Sequence, residues 1–241
     1  KLGSNKNQAA KILDEMSVGN IKFGIGFSDY FGSRNSSKIT FSDGVVNGNT
    51  LFAIDTEYAT HLLVSDADGV LGMIALDHKN INYVDLITVD KTRIYKEIKF
   101  KNTPVEILER TIDSTNAVER AIDAGRIILA ADSLGASQTM LDMAVSYSKE
   151  RKQFNRVIGS FQAVKHMCAE MASELEPCYS LVWHAAHSFD NDEDNSKLMA
   201  CHAKSHVSEI SKEVSKKATE VHGGMGFTDL LGLHYWFKRI G

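Results

Sequence analysis

The segment ERKQFNRVIGSFQAVKHM, residues 150–167, closes a long helix-like run. It sets Arg151, Lys152, Arg156 and Lys165 among Phe154, Val157, Ile158, Phe161 and Val164, with Gly159 interrupting it. The whole chain is acidic, with a formal net charge of −4 over 241 residues. Guanidinium, amide and aromatic groups gathered in one turn of an acidic protein admit two readings. One is a solvated loop between helices. The other is a site for an anion that carries a flat ring.

Upstream of this segment, apolar residues recur at intervals of three and four from Pro104 to Tyr147, as at Ile107, Leu108, Ile112, Val118, Ile122 and Ile127. That spacing predicts one helix over about 106–150, roughly 65 Å long at 1.5 Å per residue. Downstream, helices are expected over 161–190 and 196–222, split by the acidic DNDEDNS turn, with a last short helix after Thr228. Long helices with short connections pack as an antiparallel bundle. Before Pro104 the pattern has period two. KITFSDGVVNGNTLFAI alternates around Asp43-Gly44 and Asn47-Gly48, both hairpin signals. THLLVSDADGVLGMIAL repeats the pattern around Asp68-Gly69, and RIYKEIKFKN sets Ile94, Lys96 and Ile98 against Tyr95, Glu97 and Lys99. The expected fold class is α+β: a small antiparallel β-sandwich or barrel over 21–104, then an antiparallel bundle of long helices over 105–241. Residues 1–20 are expected to be a linker helix.

Composition narrows the function. A pI near 6.1 argues against a general nucleic-acid surface. Cys168, Cys178 and Cys201 are odd in number and lack paired metal spacing. They read as reduced thiols in a cytoplasmic setting. No apolar run reaches the ~18 residues of a membrane span. The first residue is Lys1, as expected of a segment from a longer polypeptide.

Arg-Lys-Gln-Phe at 151–154, followed by IGSFQAVKHMCAEMA, resembles a signature of the acyl-CoA dehydrogenase family, and EVHGGMGF at 220–227 resembles its second. RIILAADSLGASQTMLDMAVSY is similar to the family's long helix, and the strand half to its middle β-domain. The resemblance implies FAD as cofactor. Arg151, Gln153 and Gln162 would meet its pyrophosphate, and Phe154 would meet its rings, with Ile158 and Phe161 in the same cofactor-facing segment. Gly223 and Gly224 would let backbone amides approach an anion, with Glu220 in place of the family's Gln. Each has a plainer reading, a solvated turn for the first group and a helix C-cap for the second. On the strand half, Ser28, Ser33 and Phe52 stand where the family holds the flavin ring, although its usual Thr-Glu-Pro pattern is absent.

The resemblance also implies α,β-dehydrogenation of an acyl-CoA thioester by a carboxylate base. One family position for that base is expected a few residues past Gly241. The other falls at Gly125 and holds no carboxylate, while the adjacent Arg126 is a candidate to orient a base or substrate, or an interior arginine paired across helices. Asp132, two helical turns further on, is a candidate displaced base or a plain polar partner. The tail DLLGLHYWFKR resembles a branch with paired subunits, one of which can lack the base. The alternative is therefore a non-catalytic FAD-binding partner subunit. Expected partners are an acyl-CoA, a second copy in a homodimer or homotetramer (or a paralogous subunit), and an electron-transfer flavoprotein. The family's N-terminal helical domain is not expected within this chain. His202 with His206, and His184 with His187, share helix faces, but no third ligand is apparent and no metal site is expected.

Overall fold

A computed structural model of the chain describes residues 4–32, 38–112 and 115–241. Ser33, a candidate above, lies outside the described residues. Two compact units emerge. The first comprises the described residues up to Val89 with Arg93–Ala121, the second Asp90–Thr92 with Ile122–Gly241.

In the first unit a short helix, α1 (Lys6–Ser17), is capped by Asn5, whose side chain accepts from the Gln8 amide. The strands are β1 (Phe23–Gly26), β2 (Thr40–Ser42), β3 (Val45–Ile54), β4 (His61–Ser65), β5 (Leu71–Ala75), β6 (Ile81–Leu86), β7 (Tyr95–Pro104) and β8 (Glu106–Ile107). Among the described residues they form one sheet ordered β6-β7-β3-β1-β4-β5-β8, with β2 also on β3. The pairings are antiparallel except one: β1 runs parallel to β4. Val46, Leu62, Val64, Ile74 and Ile98 are fully buried in its core. A Cβ on Gly72 of β5 would lie 2.6 Å from Val105 and 2.8 Å from Phe41 of β2, so the sheet curls until distant strands touch.

Two turn signals meet different fates. Asp43 and Gly44 both have positive φ and join β2 to β3 as the expected two-residue hairpin. Asn47-Gly48 is no hairpin. It forms a bulge inside β3, where the pairing with β7 shifts between Val46 and Gly48. Gly48 has φ +116, and a Cβ there would sit 1.9 Å from the Lys38 carbonyl oxygen. A glycine in a strand pattern marks a bulge as well as a turn.

The predicted helix start at 106 and the boundary at 104 also move. Glu106 and Ile107 pair with β5, and the Leu108 amide donates to the Leu71 carbonyl. A 3-10 turn follows at Glu109–Thr111, where the Thr111 hydroxyl donates to the Leu108 carbonyl and accepts from the Leu71 amide. Ile107 and Leu108 therefore serve the sheet edge, which a short apolar run cannot reveal. The long helix begins at Asn116.

In the second unit α2 (Asn116–Glu150, of which residues from Ile122 belong here), α3 (Gln162–Asn191) and α4 (Glu193–His222) form the bundle, and α5 (Leu233–Ile240) closes it. Met140, Met171, Leu175, Val207, Val214 and Leu233 are fully buried between them. Lys217 of α4 reaches Glu170 and Glu174 near the start of α3, so those two helices run antiparallel. Their break is narrower than the expected turn, with Asp192 alone separating them. Its side chain accepts from the Asn195 amide as the N-cap of α4. Pro177 lies inside α3 and is exposed, so the Ser173 carbonyl it leaves without an N–H partner faces water.

Candidate cofactor site

The opening segment folds as a hairpin between α2 and α3. Strands β9 (Lys152–Gln153) and β10 (Arg156–Val157) pair antiparallel, with Phe154 and Asn155 as the two turn residues. Their φ values are 52° and 62°, the geometry of a type I′ turn. Asn suits that conformation. Phe does not, since its Cβ crowds the backbone at a cost of about 1 kcal/mol. The Phe154 side chain is nonetheless 88% exposed, so no burial in this chain offsets the strain. The strain is held by the two-residue connection between β9 and β10. Phe154→Asn is expected to raise stability by about 0.5–1 kcal/mol in thermal melts, while removing the ring from any bound partner.

Phe161 anchors the hairpin. Its ring meets Phe154 edge to face at 6.1 Å, and the Arg156 guanidinium lies 3.9 Å from its centroid. Phe161 is also the N-cap of α3, and no side chain caps the first turn. Gln162 opens that turn and is exposed, as are Arg151 and Gln153. Ile158 is half-buried, its amide donating to the Arg151 carbonyl, and it packs on the bundle core rather than toward a ligand. The Arg151 guanidinium has no acidic partner among the described residues. A cation, two amide side chains and the uncapped first turn of α3 thus belong to the same segment as the exposed ring, with the Gln153 amide donating to the Lys152 carbonyl at 2.8 Å.

The second signature sits at the same end of the bundle. Tyr147, one turn before Arg151, stacks on His222 with ring centroids 4.6 Å apart and planes at 29°. His222 is buried and its Nδ1 bonds the Ala218 carbonyl at 2.7 Å, which fixes the proton on that nitrogen. The stack binds the last turn of α2 to the last turn of α4, so the hairpin and the glycine turn issue side by side. Gly223, with φ 57 and ψ −140, ends α4, and a 3-10 turn runs over Gly223–Phe227. A Cβ on Gly223 or Gly224 would meet nothing within 4 Å, so both present bare backbone to open space. Gly226 differs: its Cβ would lie 2.9 Å from the Thr219 carbonyl oxygen, because the turn folds tightly onto α4. Glu220 is exposed on the final turn.

Three positions escape the sequence reading. Tyr147 enters it only as the end of a periodic run, and His222 only as a letter of the second signature. Gly226 is the third glycine of HGGMGF, and its place inside the second signature is the available signal.

The candidate base lies elsewhere. Arg126 donates to Asp123 at 2.6 Å, and Asp123 is buried. Asp132 accepts from Arg239 of α5 through both carboxylate oxygens, at 2.8–3.2 Å. Arg239 in turn donates to the Thr92 hydroxyl at 2.7 Å. The geometry makes Asp132 the anchor of the C-terminal helix. Gly125 faces open space, with no atom within 4 Å of an added Cβ.

In the first unit Ser28 and Phe52 come together. The Ser28 hydroxyl is buried, accepts from the Leu51 amide at 2.9 Å and lies 3.2 Å from the Thr50 hydroxyl. Phe52 has φ 53 at a shift in the β3–β7 register, is 58% exposed, and meets Tyr95 edge to face at 6.4 Å. Ser28 therefore braces the bulge that presents Phe52. Among the described residues, no cluster of three or more metal-ligating side chains occurs, and no helix is long and apolar enough to cross a membrane.

Residues 115–240 match the family model for the acyl-CoA dehydrogenase C-terminal domain. The chain belongs to the acyl-CoA dehydrogenase family. It is 44% identical over 108 residues to the caffeyl-CoA reductase-Etf complex subunit CarC of Acetobacterium woodii, covering 45% of this chain and 28% of that protein. It is 29% identical over 224 residues to the probable acyl-CoA dehydrogenase YngJ of Bacillus subtilis, covering 86% of this chain and 58% of that one. This family member thus spans less than two thirds of these relatives. Butyryl-CoA dehydrogenase from Megasphaera elsdenii superimposes with a TM-score of 0.84 at 21% identity, covering 98% of this chain and 67% of that one. At that identity the likeness speaks to the fold, which is the α+β acyl-CoA dehydrogenase fold.

Proposed function

We propose that this acyl-CoA dehydrogenase homologue takes part in α,β-dehydrogenation of an acyl-CoA thioester with FAD. The observation that carries the reading is the Tyr147–His222 stack, which brings the Arg151 hairpin and the Gly223-Gly224 turn to one end of the bundle. The residues fit the cofactor. Arg151 would pair with a phosphate oxygen, and Gln153 and Gln162 would donate amide N–H groups. Gly223 and Gly224 would admit a phosphate to the backbone. Phe154 offers its ring to a planar partner. Bound FAD would supply the hydride acceptor. Phe154 is exposed and Arg151 has no acidic partner among the described residues, so the hairpin is suited to a cofactor shared with a neighbouring subunit, either a second copy or a paralogue. An electron-transfer flavoprotein fits as the redox partner, in keeping with the Etf-complex name of the Acetobacterium relative.

A second reading, a non-catalytic FAD-binding partner subunit, is favoured by Gly125 and by the engagement of Asp132 with Arg239. The visible spectrum of the purified protein, with anaerobic addition of acyl-CoAs and of unsaturated aryl-acryloyl thioesters, separates the two. A flavin band that bleaches with a saturated thioester supports dehydrogenation. A band that never changes supports the silent partner. Arg151→Met is expected to weaken flavin retention roughly tenfold to hundredfold, the worth of a charge-assisted bond. Full retention in that variant would overturn the phosphate role.

A further inference from the structure

The back of the hairpin holds a second feature. A cleft of about 450 Å³ lies between the end of α2 and the first turns of α3, roofed by β10 and the residues that follow it. Its volume lies in the range of small-molecule sites, roughly 300–1,000 Å³. Val145, Val157 and Val164 form apolar walls. Ser148 and Ser160 also line it, but their hydroxyls donate to the Val145 and Val157 carbonyls, so their polar hydrogens are spent on the local backbone. Lys149 and Lys165 stand at the rim, both exposed. No acidic residue lines the cleft, and neither ammonium has an acidic partner among the described residues. Glu150 is adjacent in sequence to Lys149, yet neighbouring helical residues point apart. None of the residues assigned to the cofactor lines this cleft.

We propose that this cleft binds a small amphiphile bearing one apolar chain and one carboxylate, with the chain against the valines and the carboxylate between Lys149 and Lys165. Apolar walls alone would accept any hydrophobic chain. The two exposed lysines in a lining without acidic residues select the anion, since an opposite charge is attracted to them and a second cation is repelled. The chain's overall negative charge makes this local excess of positive charge the more selective.

Cys168 lines the cleft half-buried and reports on its occupancy, whereas Cys201 is exposed and serves as an internal control. Burial pushes the Cys168 thiol up, so alkylation is best followed at mildly alkaline pH. In the full-length protein, dodecanoate is expected to slow iodoacetamide labelling of Cys168 and leave Cys201 unaffected, with dodecylammonium giving no protection. Lys149→Ala or Lys165→Ala should each raise the half-protecting concentration roughly fivefold, the scale of one exposed charge pair. Equal protection by the ammonium and the carboxylate, or none by either, overturns the proposal. Equilibrium dialysis with labelled dodecanoate gives an answer independent of thiol reactivity. Val164→Trp, which fills the cleft, should remove one bound equivalent while retaining the wild-type helical signal. Unchanged stoichiometry in that variant sinks the proposal even if dodecanoate binds elsewhere on the protein.

Discussion

Replacing Arg239 with methionine is expected to lower the unfolding free energy by about 2 kcal/mol, read as a fall in urea midpoint at constant slope. The guanidinium makes three contacts with Asp132 at 2.8–3.2 Å, and the two side chains are only 23% and 30% exposed. A bidentate pair so shielded is worth more than a surface bridge, because truncating one partner leaves a carboxylate half out of water. Asp132→Asn should cost less, since the amide oxygen still accepts one bond. A double-mutant cycle between 132 and 239 should return a coupling of about 1–3 kcal/mol. The same variants decide the chemistry. If Asp132 is a strut, Asp132→Asn leaves the rate of flavin reduction per loaded subunit unchanged. A loss of ~100-fold or more at constant flavin content would instead mark it as the base.

Gly125→Glu carries the largest expected effect on activity. If the bound subunit lacks a base of its own, a carboxylate at this position should raise thioester-dependent flavin reduction by roughly 10²–10⁴, the usual worth of a general base. The structure permits the change. The position lies inside α2, and a Cβ there meets no atom within 4 Å. Any helix former at 125 also removes the conformational freedom of glycine, so Gly125→Ala should stabilise by about 0.5–1 kcal/mol. That control separates the backbone effect from the catalytic one. Arg126 keeps its 2.6 Å bond to Asp123, and adjacent helical residues point apart, so the new carboxylate stays free of it. A Gly125→Glu variant that is stable, flavin-loaded and no faster than wild type would place the base elsewhere.

The helices are the legible part of this sequence because a 3.6-residue period persists over whole elements, and α3 and α4 begin and end close to where it changes. Asn47-Gly48 and the residues after Pro104 mislead for the same reason: a two- or five-residue signal does not say which neighbouring strand will claim it. Only the register of β3 on β7, and of Glu106-Ile107 on β5, settles that choice. The proposed cofactor site is legible as two separate motifs. Their meeting is not, because it depends on a ring stack between residues 147 and 222 that no local pattern encodes. The fate of Asp132 is hidden likewise, its partner lying 107 residues away.

The one-residue break at Asp192 bears on how fast the helical unit forms. With α3 and α4 joined so closely, their mutual contacts near the break span few residues, and closing that loop costs little entropy. This helical hairpin is suited to appear early, as the nucleus on which α2 and α5 later settle. In the strand unit the parallel pair sets Phe23 opposite His61, so an entire arm of chain must be laid down before those two strands can meet. Refolding of the separate units would accordingly run on two clocks, the helical one being the faster.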